Sequence, residues 1–165
     1  MYYLMMFIFG LIGILLETTI FAHFTIAGVK PDLLLILVIF NSLFQGPVKG
    51  TYFGFFLGLL EDIVLGNYLG MNALAKGITS LIWGWFMQGA FRENLLVPVL
   101  SLFWGSVFHG TMILLLGKIV GLNWSWNLFF WKVFPVAIYN TCLVPFVYSG
   151  FYNWVTKDGE RQQTL

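Results

Sequence analysis

The stretch Gly50-Thr51-Tyr52-Phe53-Gly54-Phe55-Phe56-Leu57-Gly58-Leu59-Leu60-Glu61-Asp62-Ile63-Val64-Leu65-Gly66-Asn67-Tyr68-Leu69-Gly70-Met71-Asn72 decides how the chain is read. It opens as an apolar helix with glycine at 50, 54 and 58. Residues four apart share a helical face, so the three glycines form one smooth strip. In lipid, burying apolar side chains gives helices no reason to associate. A strip without side chains lets a second backbone come close and gain dispersion contacts. Such a strip serves either internal packing, its commoner use, or the docking of a partner helix. Glu61 and Asp62 follow near the helix C-terminus, where the macrodipole is already negative. Two carboxylates there call for a cation or for water. Gly66 to Gly70 reads as a turn, and Met71-Asn72 opens the next helix with Asn72 or a neighbour as its cap.

The composition agrees with a membrane setting. Of 165 residues, 59% are hydrophobic and 9% charged, and the mean hydropathy is +0.87. A soluble domain carries about 25% charged residues. One span needs about 20 apolar residues, so the chain has room for about six and for no soluble catalytic domain. The fold class expected is therefore an all-α membrane protein of six transmembrane helices, in one domain over 1–155. A net charge of +1 without a basic stripe excludes a nucleic-acid footprint. The single cysteine, Cys142, has no intramolecular partner and reads as a small buried apolar residue.

The spans are expected at 2–22, 31–45, 48–65, 72–91, 95–118 and 128–155, with 156–165 a short cytoplasmic tail. The first lacks a basic leader and a small-residue cleavage site, and Glu17 interrupts it, so it reads as an uncleaved span rather than a signal peptide. Glu17 is either a carboxyl hydrogen-bonded within the bundle or a site for ions or protons. His23 is placed at the interface. Pro31-Asp32 starts span two, with proline at the first helical position and an acid suited to the helix dipole. The twelve residues from Leu33 to Phe44, apolar but for Asn41 and Ser42, make only about 18 Å at 1.5 Å per residue. That is too short to cross without tilt, thinning or shelter. Arg92-Glu93-Asn94 is a tight polar connection, and Gly121 to Asn127, with Trp124 and Trp126, is an interfacial loop. Pro135 and Pro145 predict kinks in span six, which also holds Lys132 and Asn140.

Lys76 lies one turn inside span four, on the membrane side that Asp62 shares. The pairing proposed is Lys76 with Asp62 or its neighbour Glu61, against simple snorkelling to the interface. His109, alone on an apolar helix, fits a hydrogen-bonded structural residue better than a metal ligand. No Walker A loop, H-E-x-x-H, G-x-S-x-G or cysteine pair is present, which argues against an enzyme. Lys49, Arg92, Lys157 and Arg161 fall on the side of the termini, against Lys30, Lys118 and Lys132 on the other, a slight lean to cytoplasmic termini.

Pro31-Asp32-Leu33-Leu34-Leu35, then Gly54-Phe55, Gly58, Asp62, Gly66 and Gly70 at fixed spacing, then Ala73-Leu74, resemble the MreD family of bacterial rod-shape-determining membrane proteins. Spans five and six carry no matching signature. The resemblance implies a non-enzymatic, multi-pass scaffold of the inner membrane, without cofactor, in the peptidoglycan-synthesis machinery of cell elongation. Its implied partner is MreC. Through MreC it would reach the class B penicillin-binding transpeptidase, RodA and MreB, in contact with membrane lipids, with self-association left open. The resemblance also implies cytoplasmic termini, with Asp62, Gly66 and Gly70 toward the outer face, and an S-component-like bundle. The S components of energy-coupling-factor transporters supply the alternative, a vitamin-binding transporter subunit. Against it, the first helix offers Gly10 and Gly13 but no Ala-x-x-x-Ala coupling pair, and the loop from Gly66 to Asn72 is poor in charge.

Overall fold

Helix α2 (Leu33–Gln45) is the hub of the chain, and the other helices are arranged around it. They are α1 (Tyr2–His23), α3 (Pro47–Leu65), α4 (Met71–Phe86), α5 (Leu96–Ile119) and α6 (Phe134–Gln163), the last preceded by a π-helical turn over Phe129–Val133. The computed structural model describes residues 2–23, 25, 28–66, 68–87, 89 and 96–163, and among these the architecture is all-α. Helix α2 touches all five other α-helices. Its residues from Leu34 to Leu43 are buried except Leu37, so its side chains are apolar around almost the whole circumference, with Asn41 and Ser42 the buried polar exceptions. Phe40 packs edge-on against Tyr148 of α6, and Leu35, Ile36 and Ile39 join Met6, Leu102 and Val144 in the main core.

Helices α3 and α4 pack along their full length because glycines line the seam. A Cβ on Gly54 would lie 2.9 Å from the Lys76 carbonyl oxygen, and one on Gly58 would lie 2.6 Å from the Asn72 carbonyl carbon. Gly50 meets Ser42 of α2 and Ser80 of α4. At the far end the relation reverses, and Gly84 of α4 lies against Pro47. The Gly50, Gly54 and Gly58 strip therefore lies inside the bundle. Ser42 adds a hydrogen bond across it to the Ser80 carbonyl.

Several element ends differ from the sequence reading. Helix α2 begins at Leu33 because Asp32 caps it, its side chain accepting the Leu35 N–H at 2.7 Å, so Pro31 precedes the helix. Helix α4 ends at Phe86 rather than at 91. Helix α6 continues through most of the expected tail, to Gln163. The π turn sits just before Pro135, where the Phe134 N–H reaches back to the Phe129 carbonyl. Proline cannot donate and its ring crowds the carbonyl four residues back, so a widened turn is a natural way into it. Cys142 is exposed, not buried, because Asn140 and Val144 occupy the inward face of that turn. The His23 side chain and Arg92, Glu93 and Asn94 lie outside the described residues.

The distribution of residues between inside and outside is inverted relative to a soluble protein. Glu17, Glu61, Asp62, Lys76 and His109 are buried, while Phe56, Trp85, Trp104, Trp131 and Phe146 face outward. Water would penalise both choices and hydrocarbon favours both. Two described stretches, Leu96–Ile119 and Phe129–Tyr148, are long and apolar enough to cross a membrane unaided.

The seam yields a direct test. Gly54→Leu must push a side chain into the α4 backbone, which cannot retreat, and overpacking of this kind costs about 1–3 kcal/mol or more. Gly150→Ala, where a Cβ meets nothing within 4 Å, should stay within about 1 kcal/mol of the parent. Thermal unfolding in detergent, followed by size-exclusion fluorescence, should show a lowered midpoint for the first variant and little change for the second. Equal midpoints would contradict the packing described.

Candidate functional site

The close approach of α3 and α4 leaves Lys76 no route to solvent. Its side chain is fully buried, and its ammonium sits between two carboxylates. It donates to Asp32 Oδ2 at 2.9 Å and to Glu61 Oε2 in a short contact. Asp32 thus has two tasks, since its other oxygen caps α2. The backbone N–H of Asp32 donates to Asn140 Oδ1 at 2.9 Å, and Asn140 Nδ2 donates to Ser106 Oγ at 3.0 Å. One connected network therefore joins the starts of α2 and α4, the end of α3, the middle of α5 and the first turns of α6. Ionised groups this deep are tolerable only when paired and hydrogen-bonded.

Asp62 stands apart from this network, and the pairing of Asp62 with Lys76 is corrected. Its carboxylate accepts the backbone N–H groups of Gly70 at 2.9 Å, Asn72 at 3.1 Å and Ala73 at 3.3 Å, and the side-chain amide of Asn72 at 2.9 Å. These are the orphan donors at the start of α4. Asp62 therefore caps α4 from the preceding helix, in place of Asn72, and its charge meets the positive end of that helix dipole. With its oxygens so engaged, it leaves Lys76 to Glu61, the other half of the acidic pair. Gly66 and Gly70 make the return possible, both with φ in the left-handed region, at 64° and 92°. Phe55, the remaining central motif residue, is exposed on α3.

A cavity of about 650 Å³ adjoins the network. Glu17, Asp32 and His109 line its polar side, and Ile113, Leu114, Val133 and Val136 its apolar side, with Trp124 and Leu128 from the α5–α6 connection. Glu17 Oε1 lies 3.5 Å from Lys30 Nζ. His109 Nδ1 lies 3.9 Å from Asp32 Oδ2. Glu17, Asp32 and Glu61 can each place an oxygen within 4.8 Å of the others, a spacing that suits one shared cation. The Lys76 ammonium already serves as that cation for two of them, so the donor set fits an ammonium better than a metal ion.

The sequence reading singled out Glu17, Glu61, Lys76 and His109 and offered Glu61 as one of two partners for Lys76, the one the structure has, but it did not join Glu17 or His109 to them. It gave Asp32 only its dipole role and Asn140 none. An Asp at a helix start and an Asn inside an apolar span were the available signals, because neither is placed cheaply in hydrocarbon without partners.

Residues 1–155 match the family model described as rod shape-determining protein MreD. The chain belongs to the MreD family. MreD proteins are bacterial membrane proteins that determine rod shape, a structural family rather than a known enzyme family. Searches of curated proteins and of solved structures each gave no match. Among the motif residues of this MreD chain, Asp32 and Asp62 start α2 and α4, and Gly54 and Gly58 line the α3–α4 seam.

Removing Lys76 alone should leave Glu61 and Asp32 buried without a counter-ion. Lys76→Met should cost about 3–5 kcal/mol, as for other broken buried pairs, and adding Glu61→Gln should recover part of it. Asp62→Ala should cost about 1–2 kcal/mol as a lost cap and add to Lys76→Met without coupling. Double-mutant cycles on thermal or denaturant unfolding give both numbers. Strong coupling of Lys76 to Asp62, and none to Glu61, would refute the network.

Proposed function

We propose that this chain is a non-enzymatic scaffold of the cell-elongation machinery, with all six α-helices crossing the bacterial inner membrane and both termini cytoplasmic. The observation that carries the reading is the pairing of family membership with a bundle whose charges turn inward and whose apolar faces turn outward. A surface of that kind offers a single transmembrane helix many places to pack. The helices shorter than a span, α2 above all, are sheltered by their neighbours, which lets them sit within the bilayer. With six spans, the connections α1–α2, α3–α4 and α5–α6 share one end, so the ionic network and its cavity face outward.

In this reading the partner is MreC, and its helix seats in the groove between α1 and α3. That groove, of about 510 Å³, is lined by Phe7, Tyr52, Phe53, Phe56, Leu60 and Ile63. Through MreC the scaffold connects to the transpeptidase, RodA and MreB. The alternative is a vitamin-binding transporter subunit with an S-component-like fold, and the cavity beside Glu17 is the feature that favours it.

Purification of the tagged protein from native membranes in mild detergent, with partners identified by mass spectrometry, separates the two. The scaffold reading expects MreC and wall-synthesis enzymes, with MreC recovery falling several-fold in Tyr52→Ala/Phe56→Ala while the melting midpoint stays near the parent. Recovery of paired ATPases with a coupling membrane subunit, and no MreC, would replace it with the transporter.

A further inference from the structure

Among the described residues, two polar atoms beside the cavity have no hydrogen-bond partner. Glu17 Oε2 and His109 Nε2 are both buried without a hydrogen bond, on side chains only 6% and 9% exposed, and both residues line the cavity. Buried carboxylate and imidazole atoms are rarely left so. The Asp32 carboxylate, acceptor-only while it pairs with Lys76, faces His109 Nδ1 and favours the tautomer with its proton there. His109 Nε2 is then an acceptor, like Glu17 Oε2. A ligand that donates hydrogen bonds would satisfy both atoms.

Charge narrows the class further. Glu17, Asp32 and Glu61 gather around Lys76, with Lys30 beside Glu17, so three carboxyl groups meet two ammonium groups. Lys132 stands exposed at the rim, where it suits an anionic group, and Ile113, Val133 and Val136 form an apolar wall. The volume is that of a small-molecule site. A metal ion is a poor fit, because two of the three carboxylates that could ligate it already hold the Lys76 ammonium.

We propose that this cavity binds a primary ammonium group carried on an apolar body, with Glu17 Oε2 and His109 Nε2 accepting its N–H donors. The same chemistry is offered by an amino-phospholipid head group and by a free amphipathic amine. It is a ligand site separate from any protein-docking face and does not depend on the scaffold reading.

The test uses the purified full-length chain in detergent, with binding read by native mass spectrometry and by thermal shift. The probes are phosphatidylethanolamine, phosphatidylcholine and phosphatidylglycerol with the same acyl chains, and water-soluble glycerophosphoethanolamine. Phosphatidylethanolamine should bind at least tenfold more tightly than the choline lipid, whose head group has no N–H, and than the glycerol lipid, which has no cation. Glu17→Gln should remove most of that preference. Should Glu17→Gln fail to fold, Val136→Trp fills the cavity from its apolar wall and should remove it instead. Competition by the soluble head group as strong as by the lipid supports the site and assigns it to a free amine. Weak competition supports it and assigns it to the lipid. Equal binding of the three lipids, or a preference that survives the variants, overturns the proposal, as does stabilisation by zinc alone.

Discussion

An ammonium held between two carboxylates in an apolar bundle is the contact on which the rest of this structure depends. Lys76 is fully buried, and each of its partners belongs to a different element, Glu61 to the end of α3 and Asp32 to the cap of α2. In water such a pair would contribute little. Surrounded by apolar side chains, neither sign is tolerable alone, so each group fixes the position of the others. Asn140 of α6 extends the same constraint by accepting the Asp32 backbone N–H, and it passes it to α5 by donating to Ser106.

The glycine seam makes that contact geometrically possible. With larger residues at 50, 54 and 58, the axes of α3 and α4 would separate, and Lys76 would lose its enclosure. The acidic pair then divides its work. Glu61 neutralises Lys76, and Asp62 caps the helix that carries Lys76. Adjacent acids on a helix point about 100° apart, which is how neighbours in sequence reach different partners. The motif over 54–72 is therefore a folding device: a close-packed helix pair, a left-handed turn and a cap returned across that turn.

The helical class, the glycine strip and the identity of most charged groups in the site were legible in the sequence, because periodicity and hydropathy are local properties. Of the partners, only Glu61 for Lys76 was offered, and then as an alternative to Asp62. Asp62 and Lys76 are close along the chain, and that proximity suggested an ion pair. The orphan N–H groups at the start of α4 claimed Asp62 instead, a demand of the turn geometry at Gly66 and Gly70 that spacing does not reveal. Asp32 lies 44 residues from Lys76, and Asn140 lies 108 from Asp32. Nothing local announces contacts at such separations. The exposure of Cys142 was hidden for a related reason, since in an apolar span hydrophobicity does not tell the inward face from the lipid face.

A shape-determining membrane family has use for a bundle locked in this way. The inner face carries rigidity through a few charged contacts, which leaves the outer faces free to be shaped for lipid or a partner helix. The most direct measurement is of the Lys76 ammonium itself, by NMR of protein labelled with ¹⁵N at lysine Nζ. The account predicts one ammonium resonance protected from solvent exchange at neutral pH, absent in Lys76→Arg and perturbed in Glu61→Gln. Rapid exchange at every lysine would mean that Lys76 is open to water, and the interaction placed at the centre of the fold would not exist.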